Sequence, residues 1–157
     1  MPKPRSAAPG TFVRIPLPDG TFGYGRSLSA PYTAFYAHRT EKPSADLDEI
    51  EPAPILFIGC VTIRAASRWV RIGVRKLTGD VAKPVVRFWQ DLVDPRNCVI
   101  YDSAGAERSA TPEECVGLER ASAWEEHHIE QRLTDWFMGR PNPAELHSRV
   151  RLLGLGD

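Results

Sequence analysis

The sequence predicts an α+β, mainly β protein: an antiparallel sheet or small barrel, opened by an N-terminal β-hairpin, with a long C-terminal helix packed on it. Three observations predict this fold class. A turn signal joins two alternating strands near the N-terminus, further strand-like segments follow at intervals of about 10 to 15 residues, and a helix-start signal opens the last third. The 157 residues are enough for one domain. We expect a single domain over 1–157, with its core at about 10–142 and tails at 1–9 and 143–157.

The N-terminal hairpin is the clearest local signal. Leu17-Pro18-Asp19-Gly20 fits a type I turn in which Gly20 takes the left-handed conformation of a bulge residue. This turn places Pro16 opposite Phe22, at a position that needs no backbone N–H. One face of the hairpin is then predicted to be core, and it comprises Val13, Ile15, Leu17, Gly23 and Gly25.

The opposite face of the hairpin combines arginine with aromatic rings, as the hot spots of protein interfaces do. This hairpin face comprises Phe12, Arg14, Pro16, Phe22, Tyr24 and Arg26. If the face is exposed, it is predicted to bind a partner through Arg14, Phe22, Tyr24 and Arg26, bordered by Trp69. If the C-terminal helix covers it instead, the same residues are ordinary core. The sequence leaves both possibilities open.

Five further segments are predicted to be strands, namely 32–38, 55–63, 69–74, 85–89 and 98–101. Residues 55–63 are apolar apart from Thr62, as expected of a central strand that is covered on both faces. Residues 41–54 are acidic and proline-rich, which predicts a loop.

The last third of the chain is predicted to be helical. Thr111-Pro112-Glu113-Glu114 carries an N-cap, a first-turn proline and a capping-box glutamate, and Gly139 followed by Pro141 gives the stop. These signals predict a helix over 112–138, with Gly117 as the point where it could break. A second, short helix is expected in 143–157, ending at Gly154.

One edge of the predicted helix is a second candidate site. It carries Trp124, Glu125, His128 and Arg132 beside the apolar stripe. Glu125 and His128 are three residues apart, which is the spacing of half a carboxylate-bridged di-metal site, but the second half is absent. We therefore favour half-buried packing for this edge, predict no metal or cofactor, and assign no catalytic residue.

Composition narrows the possible partners. The chain has 20 basic and 20 acidic residues, so its zero net charge removes the usual electrostatic argument for nucleic-acid binding. The longest apolar run, 53–61, is far shorter than the roughly 20 residues of a membrane helix. Residues 1–10 contain three prolines and no apolar signal region, which predicts a cytoplasmic protein. The three separated cysteines are expected to be reduced.

Three stretches of sequence together resemble a known bacterial family. They are Gly10–Arg26, Trp69 with Ile72-Gly73, and Thr111–Trp124 continuing through His128–Leu133. In these stretches the chain is similar to the family called immunity protein 26, which also carries the name of a small phosphotriesterase, HocA. The resemblance covers about residues 10–142. It implies a mainly β immunity protein of polymorphic toxin systems that protects its own cell by binding a cognate toxin, as a monomer or weak homodimer.

Two functions from different classes are compatible with these observations. Binding requires only a rigid sheet with an exposed recognition face. The alternative, metal-dependent phosphotriester hydrolysis, requires a polarised P=O group and an activated water, usually on metals held by several histidines and carboxylates. The four histidines are scattered along the chain, so we favour binding of a cognate protein toxin.

Overall fold

The computed structural model describes residues 7–62 and 66–153. The chain divides into two compact units. Unit 1 comprises Met1–Lys83 and Ala123–Asn142, and unit 2 comprises Pro84–Ser122 and Pro143–Asp157.

The described residues form ten strands and three α-helices. The strands are β1 Thr11–Pro16, β2 Phe22–Ser27, β3 Tyr32–Tyr36, β4 Ile55–Val61, β5 Val70–Val74, β6 Val86–Gln90, β7 Cys98–Asp102, β8 Glu107–Ala110, β9 Glu119–Arg120 and β10 Ala123–Trp124. The helices are α1 Leu47–Ile50, α2 Glu126–Phe137 and α3 Pro143–Ser148. Two short 3-10 turns lie at Gly79–Ala82 and Glu113–Cys115.

Unit 1 is built on a six-stranded sheet in the order β10-β4-β3-β2-β1-β5. The predicted hairpin register is confirmed, because β1 and β2 pair antiparallel with Pro16 opposite Phe22 and Arg14 opposite Tyr24. At the turn, Leu17 accepts a hydrogen bond from the Gly20 N–H at 3.0 Å, and Gly20 has a φ of +86°. β10 joins the other edge in parallel with β4, so the sheet is mixed rather than purely antiparallel.

The sheet of unit 1 has a core on each side. On one side it packs against α2, whose Leu133 approaches Gly23 and whose Ile129 approaches Gly59. This α2-side core comprises Val13, Ile15, Leu17, Phe35, Phe57, Val61, Trp69, Trp124, Ile129 and Leu133. On the other side lies a smaller core of Phe12, Tyr24, Tyr36 and Ile50. The sheet is therefore an inner layer with packing on both faces.

Unit 2 contains a four-stranded sheet in the order β8-β7-β6-β9. Its core comprises Phe88, Cys98 and Cys115, with Ile100 and Leu118 packed against them. All three cysteines of the chain are free thiols, and Cys60 is half-buried. Burial, followed by the neighbouring Cys98, raises the pKa of the Cys115 thiol, so this thiol stays protonated at neutral pH.

The structure corrects three predictions about the fold. Neither sheet closes into a barrel, since both sheets have two ends in their strand order. The long helix over 112–138 is wrong, because α2 spans only the 12 residues Glu126–Phe137. The short C-terminal helix ends at Ser148, and Gly154 lies outside the described residues, as does the end of the strand predicted over 55–63.

The helix-start signal at Thr111 does form its capping contacts. The Thr111 N–H donates to Glu114 Oε1 at 3.2 Å, and the Glu114 N–H donates to Thr111 Oγ1 at 3.4 Å. Only one 3-10 turn is formed there, and Gly117 then takes a φ of +85°, which ends a right-handed helix. Beyond it, the chain adds β9 to β6 and β10 to β4. Pairing with distant strands thus replaces the local helical pattern between residues 118 and 125.

Gly10, which precedes β1, lies close to the backbone of Arg75, which follows β5, and substitution of Gly10 tests this close approach. It has a φ of +89°, and a Cβ at this position would lie 2.0 Å from the Arg75 carbonyl oxygen. Gly20 has nearly the same φ, +86°, but nothing lies within 4 Å of its Cβ position. We expect Gly20→Ala to cost about 1 kcal/mol from backbone strain alone, and Gly10→Ala to cost about 2 kcal/mol more because backbone atoms must move. Urea denaturation of both variants measures the difference, and equal losses would contradict the close approach.

Candidate functional site

Most of the hairpin face is buried. Phe12 and Tyr24 are fully buried and Arg26 is 2% exposed, whereas Arg14, Pro16 and Phe22 are half-buried. The cover is residues 41–54, here called the covering segment, whose Leu47 and Ile50 pack in the core with Phe12 and Tyr24. Phe12, Tyr24 and Arg26 of this face are therefore buried, but α2 is not what covers them, because α2 packs on the opposite side of the sheet.

Tyr24 ties the covering segment to the sheet. Its hydroxyl is hydrogen-bonded to Thr40 Oγ1 at 2.5 Å and accepts a hydrogen bond from the Ser44 N–H at 3.2 Å. Arg14 adds a third tie, because its Nη1 donates to the Ser44 carbonyl at 3.1 Å. These side chains of β1 and β2 thus hold the chain at residues 40–44 through polar contacts, in addition to the apolar contacts of Leu47 and Ile50.

Arg26 is a buried cation with partners from three places in the chain. Its Nη1 lies 3.0 Å from Glu51 Oε2, and its Nη2 donates to the carbonyls of Arg75 at 3.0 Å and Lys76 at 3.1 Å. The guanidinium also lies 4.6 Å from the centre of the Phe12 ring. A buried guanidinium stays charged and needs such compensation. Arg26 therefore joins β2, the end of α1 and the chain after β5.

Trp69 lies apart from the other predicted partner-binding residues. It belongs to the α2-side core, where its ring meets Phe35 edge-on at 5.9 Å, and it is 7% exposed. The structure thus brings Arg14, Phe22, Tyr24 and Arg26 together but puts Trp69 on the other side of the sheet. Arg14 and Phe22 keep partial exposure, and their guanidinium and ring are 5.9 Å apart.

The surface above the buried hairpin face is acidic. Glu41, Asp46 and Glu49 of the covering segment are exposed. Asp46 also caps α1, because its Oδ1 accepts a hydrogen bond from the Asp48 N–H at 3.1 Å. The exposed side of the covering segment thus carries more acidic than basic residues, since Lys42 is its only exposed basic residue.

A second exposed feature, in unit 2, was not predicted from the sequence. Leu92 is 91% exposed and Val93 is 94% exposed in the turn between β6 and β7. The turn is fixed by Asp91 Oδ1, which accepts hydrogen bonds from the N–H groups of Val93 at 2.8 Å and Asp94 at 3.2 Å. The sequence signal for this exposed turn is a pair of apolar residues, Leu92 and Val93, between the turn-forming Asp91 and Asp94.

The predicted helix edge forms in part. Trp124 is buried in β10, Glu125 is the N-cap residue of α2, and the Arg132 guanidinium lies 3.6 Å from the centre of the Phe57 ring and 5.1 Å from that of Trp124. His128 meets the Trp124 ring edge-on at 6.4 Å and is exposed. At this edge the Arg132 guanidinium and the aromatic rings pack together at the border of the α2-side core.

Beside this edge lies a cavity of about 500 Å³, here called the α2 cavity. It is lined by Ala66, Ser67, Arg68, Glu125, Glu126, His127 and Glu130. Ser67 links two parts of the lining. Its hydroxyl donates a hydrogen bond to Glu126 Oε2 at 2.6 Å and accepts one from the backbone N–H of Trp69 at 3.0 Å. Burial raises the pKa of Glu130, and Arg68, the Trp69 indole and His127 oppose this effect only in part.

Two negative findings apply to the described residues. Residues 7–62 and 66–153 contain no group of three or more His, Cys, Asp or Glu side chains that is arranged to hold a metal ion. Among the same residues, no helix has the length and apolar character needed to cross a membrane.

These features define a small, mainly β protein with two mixed sheets and a covered hairpin. The chain belongs to the Immunity protein 26 family, whose sequence model matches residues 8–99. The match spans β1 to the start of β7 and confirms the resemblance to immunity protein 26, whereas the phosphotriesterase name is not confirmed. No curated protein and no solved structure is significantly similar to this chain.

The ion pair of Arg26 can be tested with two charge-neutralising variants of the covering segment. Glu51→Gln removes the counter-charge of a guanidinium that is only 3% exposed, so we expect a loss of about 1–2 kcal/mol in the free energy of unfolding. Asp48→Asn removes a carboxylate that is 86% exposed and should cost at most about 0.5 kcal/mol. Denaturant unfolding at low and high salt measures both, and the loss from Glu51→Gln should persist at high salt. Equal, salt-sensitive losses would contradict a buried pair.

Proposed function

We propose that this protein is an immunity protein of a polymorphic toxin system, which binds a cognate protein toxin and neutralises it. The observation that carries the proposal is the match of residues 8–99 to the Immunity protein 26 family. A sheet packed on both faces supports it, because a rigid scaffold lowers the entropy lost when a partner binds.

The contact surface we propose is the outer side of the covering segment with Arg14 and Phe22 at its rim. Three exposed carboxylates, those of Glu41, Asp46 and Glu49, supply negative charge there. A half-buried arginine packed near an aromatic ring supplies the kind of anchor in which binding energy concentrates. We therefore propose that the toxin presents a complementary basic surface.

Tyr24 and Arg26 take a positioning role in this proposal. Both are buried beneath the covering segment, so they act on the partner through the segment they hold. Trp69, in the core on the other side of the sheet, supports the sheet itself.

The first test is protection of cells from the toxin. The candidate toxin is the C-terminal domain of a long protein encoded next to this one, produced from an inducible promoter in a heterologous bacterium. We expect cells to survive only when this protein is co-expressed, and the two purified proteins to elute as one complex in size-exclusion chromatography. Toxicity that persists despite co-expression, with no complex, would reject the proposed function.

The second test locates the interface with charge reversals. Glu41→Lys combined with Glu49→Lys should lower the association rate at least ten-fold at low salt and less at high salt, and Arg14→Ala should weaken binding by about 2 kcal/mol. The matched control is Glu107→Lys with Glu113→Lys, two exposed glutamates of unit 2. If binding is lost instead with Leu92→Asp, the interface is the β6–β7 turn and the proposed surface is wrong.

A further inference from the structure

β5 is an edge strand of the unit 1 sheet, and one of its sides is open. It pairs with β1 on the other side, and no described residue pairs with the open side. Just after β5, the Arg75 N–H donates to the Gly10 carbonyl at 3.1 Å, towards the chain that leads into β1. Because backbone groups of an antiparallel pair alternate in direction, the Val74 N–H points away from β1. Such an edge can accept a further strand.

The other edges of the two described sheets differ from β5 in length or in chemistry. β9 and β10 have two residues each, which is too short to pair with a partner strand. β8 has four residues, and its Arg108 is paired with Glu114 at 2.6 Å. β5 has five residues, of which Val70 is 46% exposed and Val74 is 63% exposed. Among these four edges, β5 is therefore the longest, and it presents apolar side chains to solvent.

Packing on one face holds β5 in place. Leu47 of the covering segment lies so close to Gly73 that a Cβ there would be 2.7 Å from Leu47 Cδ1. Ile72 packs against the smaller core that contains Phe12. The pairing with β1 is irregular between Phe12 and Val13, so the stretch suited to regular pairing is short. A strand that is already fixed on one face and one side loses little freedom when its other side binds.

The chain around this edge is basic. Residues 66–79 contain three arginines and one lysine and no acidic residue. Arg75 is already paired with Asp48 and Glu51 of the covering segment. Arg71, within β5, and Lys76, two residues beyond it, are exposed. The open backbone groups therefore lie beside two exposed cations, and a strand that carries carboxylates complements them.

The same cations disfavour pairing with a second copy of the chain. A two-fold symmetric pair of β5 strands would bring both copies of Arg71 and Lys76 into one surface. Residues 66–79 offer no carboxylate to offset the resulting repulsion. An acidic segment gains attraction from these residues instead, so charge selects it over self-association.

We propose that the open side of β5 is a docking site for one extended, acidic segment of a protein partner, which adds to the six-stranded sheet as a further strand. Main-chain hydrogen bonds to groups such as the Val74 N–H align the segment. Its carboxylates meet Arg71 and Lys76, and its apolar side chains cover Val70 and Val74. The site uses none of the exposed acidic residues proposed to contact the toxin.

The test uses a seven-residue peptide of alternating glutamate and valine with blocked ends. Binding to the full-length protein is followed by NMR, through hydrogen exchange of the backbone amides of residues 70–74. We expect saturable binding that slows exchange of the Val74 N–H. The control peptide has the same side chains but is N-methylated at successive central residues, which blocks both of its edges, so it should not bind. Equal binding of both peptides, or no binding of either, would overturn the proposal.

Charge reversal tests the choice of an acidic partner. Arg71→Glu combined with Lys76→Glu should weaken the acidic peptide about ten-fold or more and let a peptide of alternating lysine and valine bind instead. The control, Lys83→Glu with Arg96→Glu, makes the same change in net charge at exposed cations outside residues 66–79. It should leave binding of the acidic peptide unchanged. If both double variants weaken that peptide equally, β5 is not its site.

Proline substitution tests the backbone pairing without changing any charge. Val74→Pro removes the outward N–H, and proline is tolerated on the open side of an edge strand. We expect the melting temperature to change little and the acidic peptide to bind about ten-fold more weakly or less tightly still. Binding as tight as that of the unsubstituted protein would contradict strand addition.

A second copy of the chain is the competing occupant of this edge. Without peptide, we expect the Val74 N–H to exchange freely at every protein concentration. Protection that grows with protein concentration, together with a dimer in sedimentation velocity, would place a second copy on β5 and reject the acidic partner. The cell-survival experiment tests the proposed function separately, because none of these measurements includes the toxin.

Discussion

The buried guanidinium of Arg26 is the interaction on which the organisation of unit 1 depends. A permanently charged group with 2% exposure is tolerated only with nearby acceptors, and these come from Glu51, from the carbonyls after β5 and from the face of Phe12. Each partner belongs to a different part of the chain. One side chain on β2 thereby fixes where the covering segment lies and how the edge strand β5 continues.

This constraint explains why the hairpin face is not an open surface. The arginine and aromatic residues that suggest an interface hot spot also suit a small core with a buried cation. The distinction depends on Leu47 and Ile50, two apolar residues in a stretch of acids and prolines. Leu47 and Ile50 are three residues apart and follow the capping Asp46, which is a weak signal for a helix. A helix of four residues is too short to be recognised from its hydrophobic periodicity.

Local rules predicted the parts of the fold that local interactions decide. The register of β1 and β2 follows from Pro16 and Gly20. Pro16 lacks a backbone N–H and Gly20 has a left-handed conformation, and each of these features is compatible with few positions in a hairpin. The capping box at Thr111 also forms as its sequence indicates. The conformation of residues 118–125 depends instead on pairing between β9 and β6 and between β10 and β4, and such distant partners leave no periodic trace in the sequence. The α2 cavity was equally hidden, because burial of Glu130 depends on residues 66–69 crossing beside α2.

Unit 1 is formed by two separate stretches of the chain, and this separation affects the order in which its sheet is packed during synthesis on the ribosome. The covering segment comes directly after β3, so one face of the sheet acquires its packing soon after the first strands emerge. The other face must wait for Ile129 and Leu133, which are made only after residues 84–122 of unit 2. Synthesis starts at the N-terminus and proceeds at about 5–20 residues per second. Val13, Ile15 and Phe35 are therefore made seconds before the residues of α2 that pack against them. During that interval these apolar side chains lack the packing that Ile129 and Leu133 of α2 later provide.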